Sequence, residues 1–147
     1  MVEDNSLRQF FTWLATAATL TFALPGVAAQ DAARLDALFG KLKSTNDVSE
    51  AQMIEQAIWR VWLVSGDDKV DSVMAKGVRA MALRDHAAAL GAFDEIVRLM
   101  PSFAEGWNKR ATIHYLLGNY NASVADIEST LALEPRHFGA IAGLGLI

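Results

Sequence analysis

Ala87-Ala88-Ala89-Leu90-Gly91-Ala92-Phe93 and Asn121-Ala122-Ser123-Val124-Ala125-Asp126-Ile127 occupy the same place in two successive periods of this chain. A proline closes each period, Pro101 and then Pro135. The interval between them, about 34 residues, is the length of a helix–turn–helix repeat. Proline lacks an amide proton and disfavours helix in the residue before it, so each one ends a helix-length segment. The chain therefore reads as all-α, a row of antiparallel helix hairpins. The functional question becomes what such a row holds.

Working outward by that period gives frames beginning at Asp36, Val70, Ala104 and Phe138. In the second frame, Asp71 to Leu83 carries Val73, Gly77, Ala80 and Met81 on one face, the spacing of an amphipathic helix. Arg84-Asp85-His86 is a polar turn. Ala87 to Leu99 follows, with Leu90, Phe93 and Val97 inward. The third frame repeats this. Ala104 to Leu117 aligns Trp107, Ala111 and His114, and Gly118-Asn119 turns the chain, because glycine accepts the left-handed backbone at a helix end. Asn121 to Leu133 then turns Val124, Ile127 and Leu131 inward. Small Gly77, Ala89 and Ala111 let neighbouring helices approach, and Phe93 and Trp107 fill the space left. A buried Trp107 truncated to Ala would cost about 3–5 kcal/mol.

These frames resemble the tetratricopeptide repeat (TPR). Trp107 and Pro135 fall on the leading Trp and closing Pro of its signature, with Gly118 and Tyr120 at the turn. In the preceding frame Gly77, Ala89, Phe93 and Pro101 match. Ser123 replaces the family's small Ala and Ile127 its aromatic. The signature Leu is Lys76 and Arg110, and the signature Tyr is Ala80 and His114. The resemblance implies a short right-handed superhelix, an α-solenoid, with TPR 1 at 70–103, TPR 2 at 104–137, and the first helix of a truncated third repeat at 138–147.

Residues 30–69 read as a degenerate N-terminal hairpin that covers the first repeat. Leu35, Leu38, Phe39 and Leu42 form one stripe. Met53, Ile54, Ala57, Ile58, Val61 and Trp62 form another, opened by a Ser49/Gln52 capping box. Ser44 to Asp47 is a polar loop, and Gly66-Asp67-Asp68 breaks the chain. At the far end, Ile141, Leu144 and Gly145 keep the repeat register. No partner helix follows them, and a solenoid end normally needs a polar cap. Truncation, or self-association through this end, are the two readings.

Residues 1–29 read as a signal peptide. No charged side chain lies between Arg8 and Asp31, Phe10 to Leu24 is apolar apart from three Thr, and small Val27 and Ala29 suit cleavage after Ala29. Removal would place the mature chain in the periplasm or otherwise outside the cytoplasm. A membrane anchor retained at the inner membrane is the alternative, although the apolar block is short for a span of about 20 residues. A first helix of the fold is the third reading.

The chain has no Cys, which excludes disulfides and Cys-type zinc sites. A net charge of −4 and the lack of any Lys/Arg run disfavour nucleic acid. His86, His114 and His137 are scattered without a second ligand at helical spacing. Asp67, Asp68 and Asp71 lack calcium-loop spacing and read as a solvated loop. No acid, base and nucleophile converge, so no enzyme, no metal and no cofactor are expected. Trp59 and Trp62 read as packing residues, the latter within its hairpin and the former bridging to the next repeat, with Arg60 solvated; a stacking or cation–π site is the alternative.

The TPR resemblance implies a protein or peptide partner along the concave face, lined by the first helix of each repeat. By register that face offers Met74, Val78 and Met81, then Asn108, Thr112 and Tyr115. Plain core is the competing reading for Met74 and Met81. Lys76, Lys109 and Arg110 could add anion contacts, but they do not form the Lys/Asn pattern by which chaperone-binding members clamp a terminal carboxylate. The expected function is a non-enzymatic scaffold, with a membrane-tethered assembly factor or a self-associating structural protein as alternatives.

Overall fold

The structure, a computed structural model, describes residues 27–147, with side chains from Asp31 onward. Among the described residues the chain is all-α, without a strand. Its helices are α1 (Val27–Ser44), α2 (Val48–Trp62), α3 (Asp68–Ala82), α4 (His86–Leu99), α5 (Ala104–Leu116), α6 (Tyr120–Leu133) and α7 (Phe138–Leu144). Consecutive helices α3 to α6 pack as antiparallel neighbours, and α7 adds to α6 and α5.

The helix ends follow from the polar residues between the hydrophobic stripes. Asp67 accepts from the amides of Lys69 and Val70, and Asp85 from Ala88. Each satisfies amides that the first helical turn leaves unpaired. The turns inside the two repeats share one bonding pattern. Asp85 N donates to Ala80 O and Arg84 N to Met81 O; one period later, Asn119 N donates to His114 O and Gly118 N to Tyr115 O. Gly118 adopts φ 76° there, and Arg84 adopts φ 59°. For α2 the expected capping box is replaced by Asp47, which accepts from Glu50 N at 3.0 Å, while Glu50 pairs with Thr45. Asp47 has the extended backbone an N-cap needs, and the helix starts before Ser49.

The repeat core confirms the small-to-large nesting. Val70, Val73, Met74, Ala89, Phe93, Ile96 and Ile113 form one buried cluster. Ala111, Ile127 and Ala140 form the next. A Cβ on Gly77 would meet the Phe93 ring, and one on Gly106 would meet Ile96. Trp107 departs from its expected place. It is half-buried, its indole N–H donates to Pro101 O at 2.8 Å, and the Arg110 guanidinium covers its ring. The bonded indole is held at the repeat edge, and Ile113 fills the interior instead. In α2, Ile54, Ile58, Val61 and Trp62 turn inward as expected. Met53 is exposed, because it lies off that 54–58–61 stripe.

The α1–α2 hairpin forms from the expected stripes: Leu35 packs with Ile54, Ile58, Val61 and Trp62. Its position differs from expectation. α2 does not run along α3 as a preceding repeat would. Its C-terminal aromatics cross to the turn after TPR 2, where Trp59 and Trp62 meet His137 and Phe138. Gly66, at φ 80°, redirects the chain between α2 and α3. Asp36 of α1 pairs with Arg136 at 2.7 Å, and Arg136 also covers the Phe39 ring. At the far end α7 buries Ala140 and leaves Ile141 and Leu144 exposed.

The expected signal or anchor lies almost wholly outside the described residues. α1 is described from Val27, so the expected cleavage point after Ala29 lies within that helix. Among the described residues no helix is long and apolar enough to cross a membrane.

Candidate functional site

One stripe of α5 carries Glu105, Asn108, Thr112 and Tyr115, spaced as one helix face. Its lower half opens into a cavity of about 150 Å³. Asn108, Thr112 and Tyr115 line it from α5, Ser123 and Ile127 from α6, and Ala142, Gly143 and Leu146 from the C-terminal end. Thr112 Oγ1 donates to Asn108 O, and Ser123 Oγ donates to Ala111 O. The local hydroxyls are thereby turned onto the backbone, and the wall between them is largely apolar. Tyr115 meets Tyr120 across the end of the hairpin, ring centroids 5.7 Å apart.

The upper half of the stripe is closed. Glu105 is 1 % exposed and held on three sides. Asn108 Nδ2 donates to Glu105 Oε2 at 3.0 Å, the Lys109 ammonium lies 3.0 Å from Oε1, and His137 Nε2 lies 2.9 Å from Oε2. His137 Nδ1 accepts from Ala140 N, so the proton sits on Nε2, which donates to the carboxylate. A buried carboxylate needs such compensation, because its desolvation is costly.

A second polar network ties the repeats together. Arg110 donates to both Asp126 oxygens, at 2.8 and 2.7 Å, and reaches Asp94 of α4 at 2.9 Å. The hydrogen bond to Asp126 holds the Arg110 guanidinium above its ordinary pKa despite desolvation. His114 stands 3.9 Å from Asp126, and its Nδ1 has no partner among the described residues. Lys109 and Arg110 are thus engaged by carboxylates and are not free anion ligands. Around Arg136, desolvation opposes the charge of Glu134, but the Arg136 side chain and amide outweigh it and hold that carboxyl below its ordinary value.

The sequence of a TPR repeat-containing protein of Rhizobium etli is 41 % identical over 114 residues, covering 78 % of this chain and 56 % of the relative. The chain carries tetratricopeptide repeats. Two further relatives are the small glutamine-rich tetratricopeptide repeat-containing protein 2 of Saccharomyces cerevisiae and tetratricopeptide repeat protein 36 of Danio rerio. The first is 30 % identical over 52 % of this chain and 22 % of its own length, the second 28 % over 71 % and 57 %. This chain spans little more than half the length of the Rhizobium and Danio relatives. No family profile and no solved structure matches it.

In these TPR units the sequence-derived groove residues divide by depth. Val78 is exposed; Met81, Thr112 and Tyr115 are half-buried. Met74, 3 % exposed, belongs to the core with Val73 and Phe93 and offers no free surface. Asn108 is also buried; it lines the cavity while its amide is committed to Glu105. Spacing alone could have added Glu105 to the stripe, three residues before Asn108. Its partner His137 had no local signal, being 32 residues away in the chain. Trp59 and Trp62 do pack, as the burial reading held, and Arg60 is exposed; Trp59 bridges to α5 and α7 and not to the adjacent repeat.

Proposed function

We propose that this chain is a non-enzymatic protein-interaction module whose TPR groove holds a segment of a partner protein in its open half. Val78 and Met81 of α3 and Thr112 and Tyr115 of α5 would make the contacts, the cavity beside Tyr115 taking one apolar side chain. The observation that carries this is that cavity, whose lining residues Thr112 and Tyr115 stand one repeat period after Val78 and Met81. The TPR relatives support the class of function. The apolar block at Phe10–Leu24 and the small residues before Gln30 support export, so the partner would be met in the periplasm.

A photo-cross-linking side chain at Val78 or Thr112 should give a discrete adduct in the native cell envelope, whereas one at exposed Glu128 should not. The Met81→Glu, Tyr115→Ala double variant should keep its helical melt and lose the adduct. Equal adducts from Glu128 would move the site off the groove. N-terminal sequencing of the exported protein should begin at Gln30; a chain beginning at Met1 would favour the anchor.

A further inference from the structure

The C-terminal end of α2 reaches TPR 2 through two aromatic side chains. Trp59 and Trp62 are one turn apart. Trp62 stacks on His137, centroids 4.1 Å apart and planes 13° apart, and Trp59 meets Phe138 edge-on at 5.2 Å. Trp59 also takes the Lys109 ammonium at 5.3 Å and fills the space above Gly139, where a Cβ would come within 2.6 Å of its ring. His137, under Trp62, is bonded to Glu105, which lies on the same α5 stripe as Thr112 and Tyr115. Two features set the hairpin apart from a repeat. It lacks lengthwise packing on α3, to which residues 63–67 connect it. Its seating also leaves the buried Trp62 indole N–H with no acceptor among the described residues, an arrangement that opposes closure.

We propose that the α1–α2 hairpin is a displaceable internal occupant of the groove's upper half, and that the partner able to replace it is an amphipathic helix with two aromatic side chains one turn apart. This rests on reading the TPR groove as the interaction surface. Displacement would uncover Glu105, Lys109 and His137 together, adding a charged subsite to the apolar lower half.

The probe is a fluorescent synthetic peptide of residues 48–63, titrated into the full chain. Trp62→Ala in the full chain unseats the hairpin without altering α5 or α7. Asp36→Arg, at an exposed position facing Arg136, does so without touching a buried group. Either variant should bind the peptide about tenfold more tightly than the wild type, the factor expected if closure leaves about a tenth of the molecules competent. A peptide carrying Trp59→Ala and Trp62→Ala should not bind. In the wild type, amides of α1 and α2 should exchange with deuterium as one unit, ahead of those of α3 to α6. Equal peptide affinity for wild type and Asp36→Arg, binding indifferent to the tryptophans, or exchange of hairpin and repeats in one step would overturn the proposal. Cross-linking at Val78 and Thr112 reports on the lower half alone. It can therefore fail, and with it the proposed function, while self-occupancy stands.

Discussion

A Cβ on Gly77 would lie 2.5 Å from Cε1 of Phe93, a ring with no exposed surface. The two residues sit on the facing helices of one hairpin, and their counterparts in the next period, Ala111 and Ile127, share a buried cluster. Each repeat thus keeps the summed bulk of the pair while dividing it differently. Close-packed interiors respond to single methyl groups, which is why the division matters.

Gly77→Ala should therefore destabilise the chain by about 1–3 kcal/mol, the usual cost of overpacking. Adding Phe93→Ile, which reproduces the Ala111–Ile127 pairing, should recover part of that loss. Urea denaturation of the single and double variants measures both. No recovery would mean that the two hairpins pack differently.

Arg110→Ala should cost about 3–5 kcal/mol, because Asp126, 4 % exposed, would be left charged and unpaired. The first repeat has Lys76 and Ala92 at these positions and manages without the pair. Arg110→Ala with Asp126→Ala should accordingly be more stable than Arg110→Ala alone. A double-mutant cycle read by thermal melting tests this; strict additivity would show the pair to be uncoupled.

Arg84 occupies a left-handed backbone position that Gly118 fills in the next repeat. A side chain there is strained, and glycine relieves the strain at the expense of a more flexible unfolded chain. Arg84→Gly should stabilise the protein by about 0.5–1 kcal/mol. The converse change, Gly118→Ala, should destabilise it by a similar amount. Calorimetric melting temperatures moving the opposite way would refute the turn assignment.

The Glu134 carboxyl, held below its ordinary value by Arg136, binds its proton less readily in the folded chain than in the unfolded one. Its contribution is therefore present above the unfolded value near 4.5 and is lost as pH falls below it through the folded value. Glu134→Gln should be less stable than wild type at pH 7 by no more than about 1 kcal/mol, since Arg136 is partly screened by solvent. That gap should close as pH falls below about 4.5. Denaturation midpoints from pH 7 to pH 3 would measure it. A gap independent of pH would assign the stabilisation to packing.

The sequence by itself determined the helices and their pairing. A helix stripe, a proline stop and a turn glycine are local signals, and their recurrence at a constant interval set the register from Val70 to His137. It also placed Val78, Met81, Thr112 and Tyr115 on helix faces that the structure leaves at least partly open. Depth was not local. Met74 and Trp107 have similar claims to burial by spacing, yet Met74 is enclosed and Trp107 is held at the edge by a bond to Pro101. Only the tertiary structure decided where the N-terminal hairpin goes, because its seat is built from Trp59, Trp62, Glu105 and His137, residues far apart in the chain. Contacts of that range carry no periodicity. They are settled by which apolar faces remain uncovered once the repeats have stacked.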